Sequence, residues 1–392
     1  MGQIIEFAKR LLATIPVAND ANSGVSFCIN QGNPMPKIKF GIIGAGWRSL
    51  FFVRIVKAFP DRFDCQGVVI RDPDKRQAFA KEWNIRTFAS LDAMLVAKEI
   101  EFVVVSTSEN HKVILDVAAR NIPCLSETPP ARNLDELIKV YDAVQDMGAK
   151  VQIAEQYHLR PHHQAQSAIL KSGKIGPVSH VQVSVAHGFH GMSMLRYFLG
   201  IGYENVEIKA TSFTAPLIKG PDRQGVPRQE TMVDSEQVLA WFQFENGQFG
   251  TLDFTTNQYR AWIRQERVLI RGPRGEISNL QVRYLKSFDE PMVFDLERVS
   301  HGQEEDQKFA GFIGYRGEGE WLYKTPFSAP ILMDDEIAIA HCLEKMSEYV
   351  STGTSFYSLA EASQDVYLSL LYEQARTQDR PVESETQVWA KH

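Results

Sequence analysis

One stretch constrains this chain more than any other: Lys39-Phe-Gly-Ile-Ile-Gly44-Ala-Gly46-Trp-Arg-Ser49. An apolar run from Ile38 to Ile43 meets a glycine pair, and a segment of helical periodicity, Leu50 to Ala58, follows. A glycine-rich turn alone is common, but between a strand and a helix it points to a dinucleotide. Gly44 is expected to make the tight turn. Gly46 lets the backbone approach a pyrophosphate resting on the helix N-terminal amides, with Ala45, Trp47 and Arg48 completing the cradle. Ser49 takes the place of a third glycine that packs helix on strand, and it is small enough to do so.

The setting repeats. Cys65 to Ile70 reads as a strand, Lys75 to Trp83 as a helix, Phe102 to Ser106 as a buried strand, Lys112 to Arg120 as a helix and Pro123 to Ser126 as another strand. Strands alternating with helices imply right-handed crossovers and a doubly wound parallel sheet. The second strand should end in an acid for the adenosine ribose. Its tip is Ile70 followed by Arg71, a residue suited to stacking on adenine or pairing with a 2′-phosphate, and Asp72 comes next. NAD and NADP both stay open.

Beyond residue 158 the pattern changes. Val181 to Val185, Val238 to Phe244, Gly250 to Phe254, Val268 to Ile270 and Val282 to Leu285 are strand-like, and Asn246-Gly247 between two of them signals a type I′ hairpin. Asp334 to Tyr349 and Ser358 to Arg376 have helical periodicity and should cover the first domain or the sheet. The fold class is therefore α/β, with a Rossmann domain over 37–157 and an α+β domain with a large, mostly antiparallel open sheet over 158–392. Residues 1–36 read as an extension: a short amphipathic helix from Ile4 to Ile15, then an Asn/Gly/Ser/Pro-rich linker, with Met35 as an alternative start.

Composition excludes other classes. No run approaches the ~18 apolar residues that span a membrane. A net charge of −6 with scattered basic residues argues against nucleic acid as a partner. Cys28, Cys65, Cys124 and Cys342 lie far apart, as expected of reduced thiols in a cytoplasmic protein.

Several stretches together resemble the glucose-fructose oxidoreductase and inositol dehydrogenase family (Gfo/Idh/MocA). They are Gly44-Ala-Gly46, Asp72-Pro73, Ser106-Thr107-Ser-Glu-Asn110-His111, Cys124-Leu-Ser-Glu127-Thr128-Pro129 and Lys171-Ser-Gly-Lys-Ile-Gly176. The resemblance implies NAD or NADP bound along these segments and a sugar- or polyol-type substrate. It also implies a homodimer or homotetramer formed through the C-terminal sheet. In that family a lysine of Glu-Lys-Pro and an Asp-x-x-x-His pair carry hydride-transfer catalysis. This chain has Thr128 for the lysine and Ala186 for the aspartate, and Ser193 where a further aspartate would orient the imidazole.

His190 remains as the expected base, with Tyr157 or His187 assisting. One lost electrostatic donor slows such chemistry on the order of 10²–10³. Two other readings therefore stand beside the dehydrogenase: a dinucleotide-binding sensor or scaffold, and a transient-redox lyase or glycosidase with a tightly held cofactor. The histidines at 158, 162, 163, 187 and 190 lack a metal-ligand spacing, so no metal is expected. His162 and His163 read as surface residues, His111 as a loop residue facing the nicotinamide, and Arg196 as a surface or cleft charge. Lys219 to Glu230 reads as a polar loop able to close over substrate, and His301 to Lys308 as solvated.

Overall fold

The computed structural model describes residues 36–300, 311–327 and 332–391; the helix and linker expected in the first 34 residues, and the stretch His301 to Lys308, lie outside them. The first sheet contains β1 (Ile38–Ile43), β2 (Phe63–Val69), β3 (Thr87–Phe88), β4 (Phe102–Val105), β5 (Cys124–Ser126) and β6 (Val151–Ile153). All neighbours pair in parallel, in the order β3-β2-β1-β4-β5-β6. β4 is Phe-Val-Val-Val and wholly buried, as a central parallel strand covered on both faces must be.

Helices α1 (Ser49–Ala58), α2 (Pro73–Trp83), α3 (Leu91–Ala97), α4 (Asn110–Ala118) and α5 (Leu134–Asp146) make the crossovers. Their starts are written locally: Asp72 accepts from the Lys75 amide ahead of Pro73, and Ser90 and Asn133 cap α3 and α5 in the same way.

After α6 (Pro161–Lys171) the chain builds a second sheet from β7 (His180–Ser184), β8 (Val206–Ile218), β9 (Met232–Phe244), β10 (Phe249–Phe254), β11 (Arg267–Gly272), β12 (Gly275–Ser278), β13 (Gln281–Ser287) and β14 (Glu290–Asp295). A small antiparallel sheet follows, β15 (Glu297–Ser300), β16 (Phe312–Gly317) and β17 (Glu320–Lys324). With β18 (Val382–Glu383) at its edge, the large sheet runs β14-β13-β12-β11-β7-β10-β9-β8-β18, and only β7 with β10 is parallel. This is the mixed α/β architecture expected.

Helix α7 (Gly188–Leu199) packs Met192, Leu195 and Phe198 into a core shared with Ile208, Phe242 and Leu252 of the large sheet. Helix α8 (Asp334–Thr352) instead joins the first sheet: Ile337, Ile339, Leu343 and Met346 cluster with Phe40, Ile42, Phe102 and Val104. Helix α9 (Leu359–Gln378) contributes Val366, Leu368 and Leu371 to the second core.

Two local expectations need correction. Of Asn246 and Gly247 only the glycine has a positive φ, +86°, so the connection is not a type I′ pair, which needs both. Helix α7 begins at Gly188, which places His190 inside its first turn. The 13-residue β8 escaped notice because Thr211, Ser212 and Thr214 dilute its apolar alternation.

Candidate functional site

Gly44 is held at φ +113°, and a Cβ there would lie 2.1 Å from the Ser106 carbonyl oxygen, so no other residue fits between β1 and β4. A Cβ at Gly46 would meet nothing within 4 Å: its outer side is open, as a cradle for a ligand's phosphates must be. Ser49 is fully buried under the helix, in the role a third glycine has.

Beside this turn runs a cleft of about 1060 Å³, of a size to take a dinucleotide, along the carboxyl ends of β1, β2 and β4. Gly44, Ala45, Gly46, Trp47, Arg48 and Arg71 line it, with Ser106, Thr107, Asn110, Glu127 and Thr128 opposite. Asn110 fixes the far wall. Its Oδ1 accepts from the Thr107 amide at 3.0 Å, and its Nδ2 donates to the Glu127 and Pro129 carbonyls at 2.8 and 3.2 Å. Arg71 is exposed at the β2 end, whereas one carboxylate oxygen of Asp72 is spent on the α2 cap.

Two expected cofactor residues, His111 and Pro129, lie beside the cleft rather than in its lining. His111 turns to Glu136, with Nε2 3.8 Å from its carboxylate, and it lines with Pro129 an adjoining cavity of about 70 Å³ that shares Thr107, Asn110 and Thr128 with the cleft. Its place on the helical face of α4, toward α5, rather than in the preceding loop is the reason, since the helix already starts at Asn110.

The Arg48 side chain leaves the turn for the protein. Its Nε donates to Glu127 Oε1 at 2.8 Å and its Nη1 to Asp335 Oδ2 at 3.3 Å. Asp335, at the start of α8, also takes Arg160 Nη2 at 2.9 Å, and Arg160 reaches Glu266 at 3.2 Å. Burial opposes the charge on Arg48, but Glu127 and Asp335 together hold its pKa above the ordinary guanidinium value. Burial lifts the Glu127 carboxyl even against Arg48, while in Asp335 the two arginines overcome burial and lower it.

At the Glu127 end lies a cluster of catalytic candidates. His190 Nδ1 meets Glu155 Oε2 at 2.6 Å. Burial pushes the Glu155 carboxyl up, yet His190 and the Tyr157 amide more than offset it, so Glu155 titrates below its usual range. The carboxylate that Ser193 cannot provide is therefore present: it comes from the end of β6 rather than from α7, and Ser193 bonds only the His190 carbonyl, at 2.9 Å. The Tyr157 ring centroid is 4.7 Å from that of His190 and 4.2 Å from the Arg160 guanidinium carbon. Burial drives the Tyr157 hydroxyl well above 10, so it stays protonated.

His187 is lowered to about 4 by burial and by His190, and its Nδ1 faces the Tyr259 hydroxyl. Tyr259 neighbours Tyr157 as well, and burial raises its hydroxyl too. Tyr259, Glu155 and Asp335 are site residues the sequence reading missed; only Glu155, at a strand end beside Tyr157, had a local signal.

Two other expectations are corrected. His163 is buried, its Nδ1 bonded to the Tyr157 carbonyl at 2.6 Å, because α6 turns it inward. Arg196 is neither a surface charge nor in the cleft: it is buried on Asp365 at 2.6 Å. The Lys219 to Glu230 segment is a loop, as expected, with an Asp222–Gly225 bridge at its tip. Among the described residues no group of three His, Cys, Asp or Glu is placed to hold a metal, and no helix is long and apolar enough to cross a membrane.

Comparison with known proteins agrees with this geometry. Residues 38–155 match the Gfo/Idh/MocA model, described as an oxidoreductase family with an NAD-binding Rossmann fold. The uncharacterized oxidoreductase ORF334 of Rhizobium meliloti is 28% identical over 156 residues, 38% of this chain and 45% of that one. A second uncharacterized oxidoreductase, from Streptococcus pneumoniae, is 26% identical over 113 residues, 28% of this chain and 29% of the relative. The chain thus spans less than half the length of either curated relative.

Among solved structures, a levoglucosan dehydrogenase in complex with NADH and L-sorbose shares the fold at TM-score 0.64 and 16% identity, covering 90% of this chain and all of the other. An oxidoreductase from Agrobacterium radiobacter, in complex with NAD+, L-tartaric acid and magnesium, does so at 0.61 and 15%, covering 88% and 98%. By its glycine turn, its strand order and the match over residues 38–155, the chain carries an NAD-binding Rossmann domain of the kind the Gfo/Idh/MocA oxidoreductase family model describes.

Proposed function

We propose that the chain is an NAD(P)-dependent dehydrogenase that oxidises a secondary alcohol of a sugar, a polyol or a derivative. The observation that carries this reading is the His190–Glu155 pair, 2.6 Å apart, close to Glu127, which lines the cleft that the glycine turn opens. The fit to a dinucleotide rests on Gly44, which sterics forbid any side chain, and on the free approach over Gly46. When bound there, NAD(P) would supply the hydride acceptor.

The chain's own residues do the rest. Glu155 accepts from Nδ1 and fixes the tautomer, which leaves His190 Nε2 as the atom that takes the hydroxyl proton. Tyr157, kept protonated by burial, donates a hydrogen bond rather than accepting a proton. His187 assists through Tyr259. Thr128 offers a hydroxyl where a lysine would offer a cation, so turnover should be slow, by about 10²–10³ relative to a site with that charge.

The polyhydroxylated ligands of the two structural neighbours support the substrate class. We also place the protein in the cytoplasm as a homodimer or homotetramer. Its contact would be the outer face of the large sheet, where Phe213 and Trp241 are half exposed.

The missing lysine favours a second reading, a dinucleotide-binding sensor without turnover. Titration with NADH and NADPH, followed by a polyol screen with His190→Ala as control, separates the two. Reduction of NAD(P) by a polyol, abolished in His190→Ala, supports the dehydrogenase; cofactor binding with no reduction supports the sensor.

A further inference from the structure

The loop joining β8 to β9 reaches back to the glycine turn. The Arg223 guanidinium carbon lies 4.4 Å from the centroid of the Trp47 ring, the residue that follows Gly46 and lines the cleft. The loop that presents it has a defined shape. Lys219 N donates to Thr231 O at 2.8 Å, and the Asp222 carboxylate is taken up by Lys219 Nζ at 3.1 Å and the Gln224 amide at 2.7 Å. Gly220 fits closely against Ala261, where an added Cβ would be 3.1 Å from the Ala261 Cα. Arg223, at the tip, has no carboxylate partner among the described residues, and its side chain is exposed.

The other cations around the cleft are spent or distant from this end. Arg48 is held by Glu127 and Asp335, Lys112 by Glu109, and Arg120 by Asp92 and Asp116. Arg71 and Lys75 stand at the end of β2, where the adenosine would lie. The diphosphate bridge of a dinucleotide, about two negative charges over Gly46 and Trp47, would otherwise meet backbone amides alone. A guanidinium matches phosphate oxygens in a bidentate fork, and an exposed aromatic ring keeps it extended without tying it to a carboxylate.

We propose that Arg223 is a ligand of the cofactor diphosphate, supplied to the Rossmann cradle from the second sheet. The inference rests on the NAD(P) reading of the cleft.

The test is fluorescence titration with NADH at two salt concentrations, using the full chain and its Arg223→Ala, Arg223→Lys and Arg228→Ala variants. NADH affinity should fall about tenfold in Arg223→Ala and less in Arg223→Lys, and it should stay unchanged in Arg228→Ala, a cation of the same loop. The salt dependence of binding should also shrink in Arg223→Ala. Wild-type binding with Arg223→Ala within twofold of it, or an equal loss in Arg228→Ala, overturns the proposal and leaves the cofactor reading intact. Absence of NADH binding in the wild type overturns the cofactor reading, and the proposal with it. Tryptophan emission separates stacking from binding: a residue that only packs on Trp47 would change the emission of the free protein and not the affinity for NADH.

Discussion

The two walls of the cleft are built in opposite ways. The glycine wall is backbone, and its shape follows from one steric fact, the 2.1 Å that would separate a Cβ at Gly44 from the Ser106 oxygen. The opposite end, at Glu127 and Arg48, begins a chain of charges that Asp335, Arg160 and Glu266 continue behind the cleft, gathered from five separate segments. The first wall is fixed by what is missing, a side chain; the second by charges that have few alternatives once buried. The difference implies that substitutions in the first should strike binding, and substitutions in the second stability.

The largest effect is expected from Gly44→Ala. Positive φ and the displaced Ser106 carbonyl together amount to about 3 kcal/mol, which is about a hundredfold in NADH affinity by titration. A variant that binds NADH normally would show that the turn's geometry does not set the cradle.

Asp335→Asn comes next. It leaves two partly buried guanidiniums without their shared carboxylate, at a cost of about 3 kcal/mol in urea unfolding, with NADH affinity little changed. An equal loss of affinity would mean that the walls are not independent.

The smallest effect is the pH dependence of the interior away from both walls. Burial lowers His158 to about 4 and His341 to about 3, so both stay neutral in the folded chain while the unfolded chain takes up protons below about 6.5. Their stabilisation is complete above that pH and fades as pH falls toward the folded values, by about 2 kcal/mol each at pH 5. Asp365, lifted by burial to about 6, works in the opposite direction over part of this range. The measurement is therefore the slope of unfolding free energy between pH 6.5 and 5 in the wild type, His158→Phe and His341→Asn. Each variant should flatten it, and an unchanged slope would show that the histidine does not stay neutral.

The same contrast explains what the sequence could and could not disclose. The glycine wall was legible because its cause is local: a strand, a turn and a helix lie within twenty residues, and periodicity marks each. β4 was legible because a four-residue apolar run bounded by polar residues has few other uses. The charged wall was not. Nothing near Arg48 announces Asp335, 287 residues away, and no spacing rule links them.

The His190 partner was sought along its own helix, at Ser193, because short-range spacing is what a sequence displays. The fold supplies Glu155, 35 residues earlier, from the end of a strand. Arg196 and His163 were misjudged for a related reason: a charged or polar residue reads as exposed until the carboxylate or carbonyl that accompanies it inward is known.

Helix α8 carries a consequence for how the chain is made. The face of the first sheet that holds Phe40, Ile42, Phe102 and Val104 is closed by Ile337, Ile339, Leu343 and Met346. As the chain leaves the ribosome, the strands of the Rossmann domain emerge early and wait for a helix synthesised after every strand of the second sheet but β18. At about 5–20 residues per second, that interval lasts on the order of ten to sixty seconds, with one apolar face uncovered. A fragment ending before residue 334 would keep that face exposed permanently, so the nascent protein depends on chaperones, or on speed, until helix α8, within its last sixty residues, arrives.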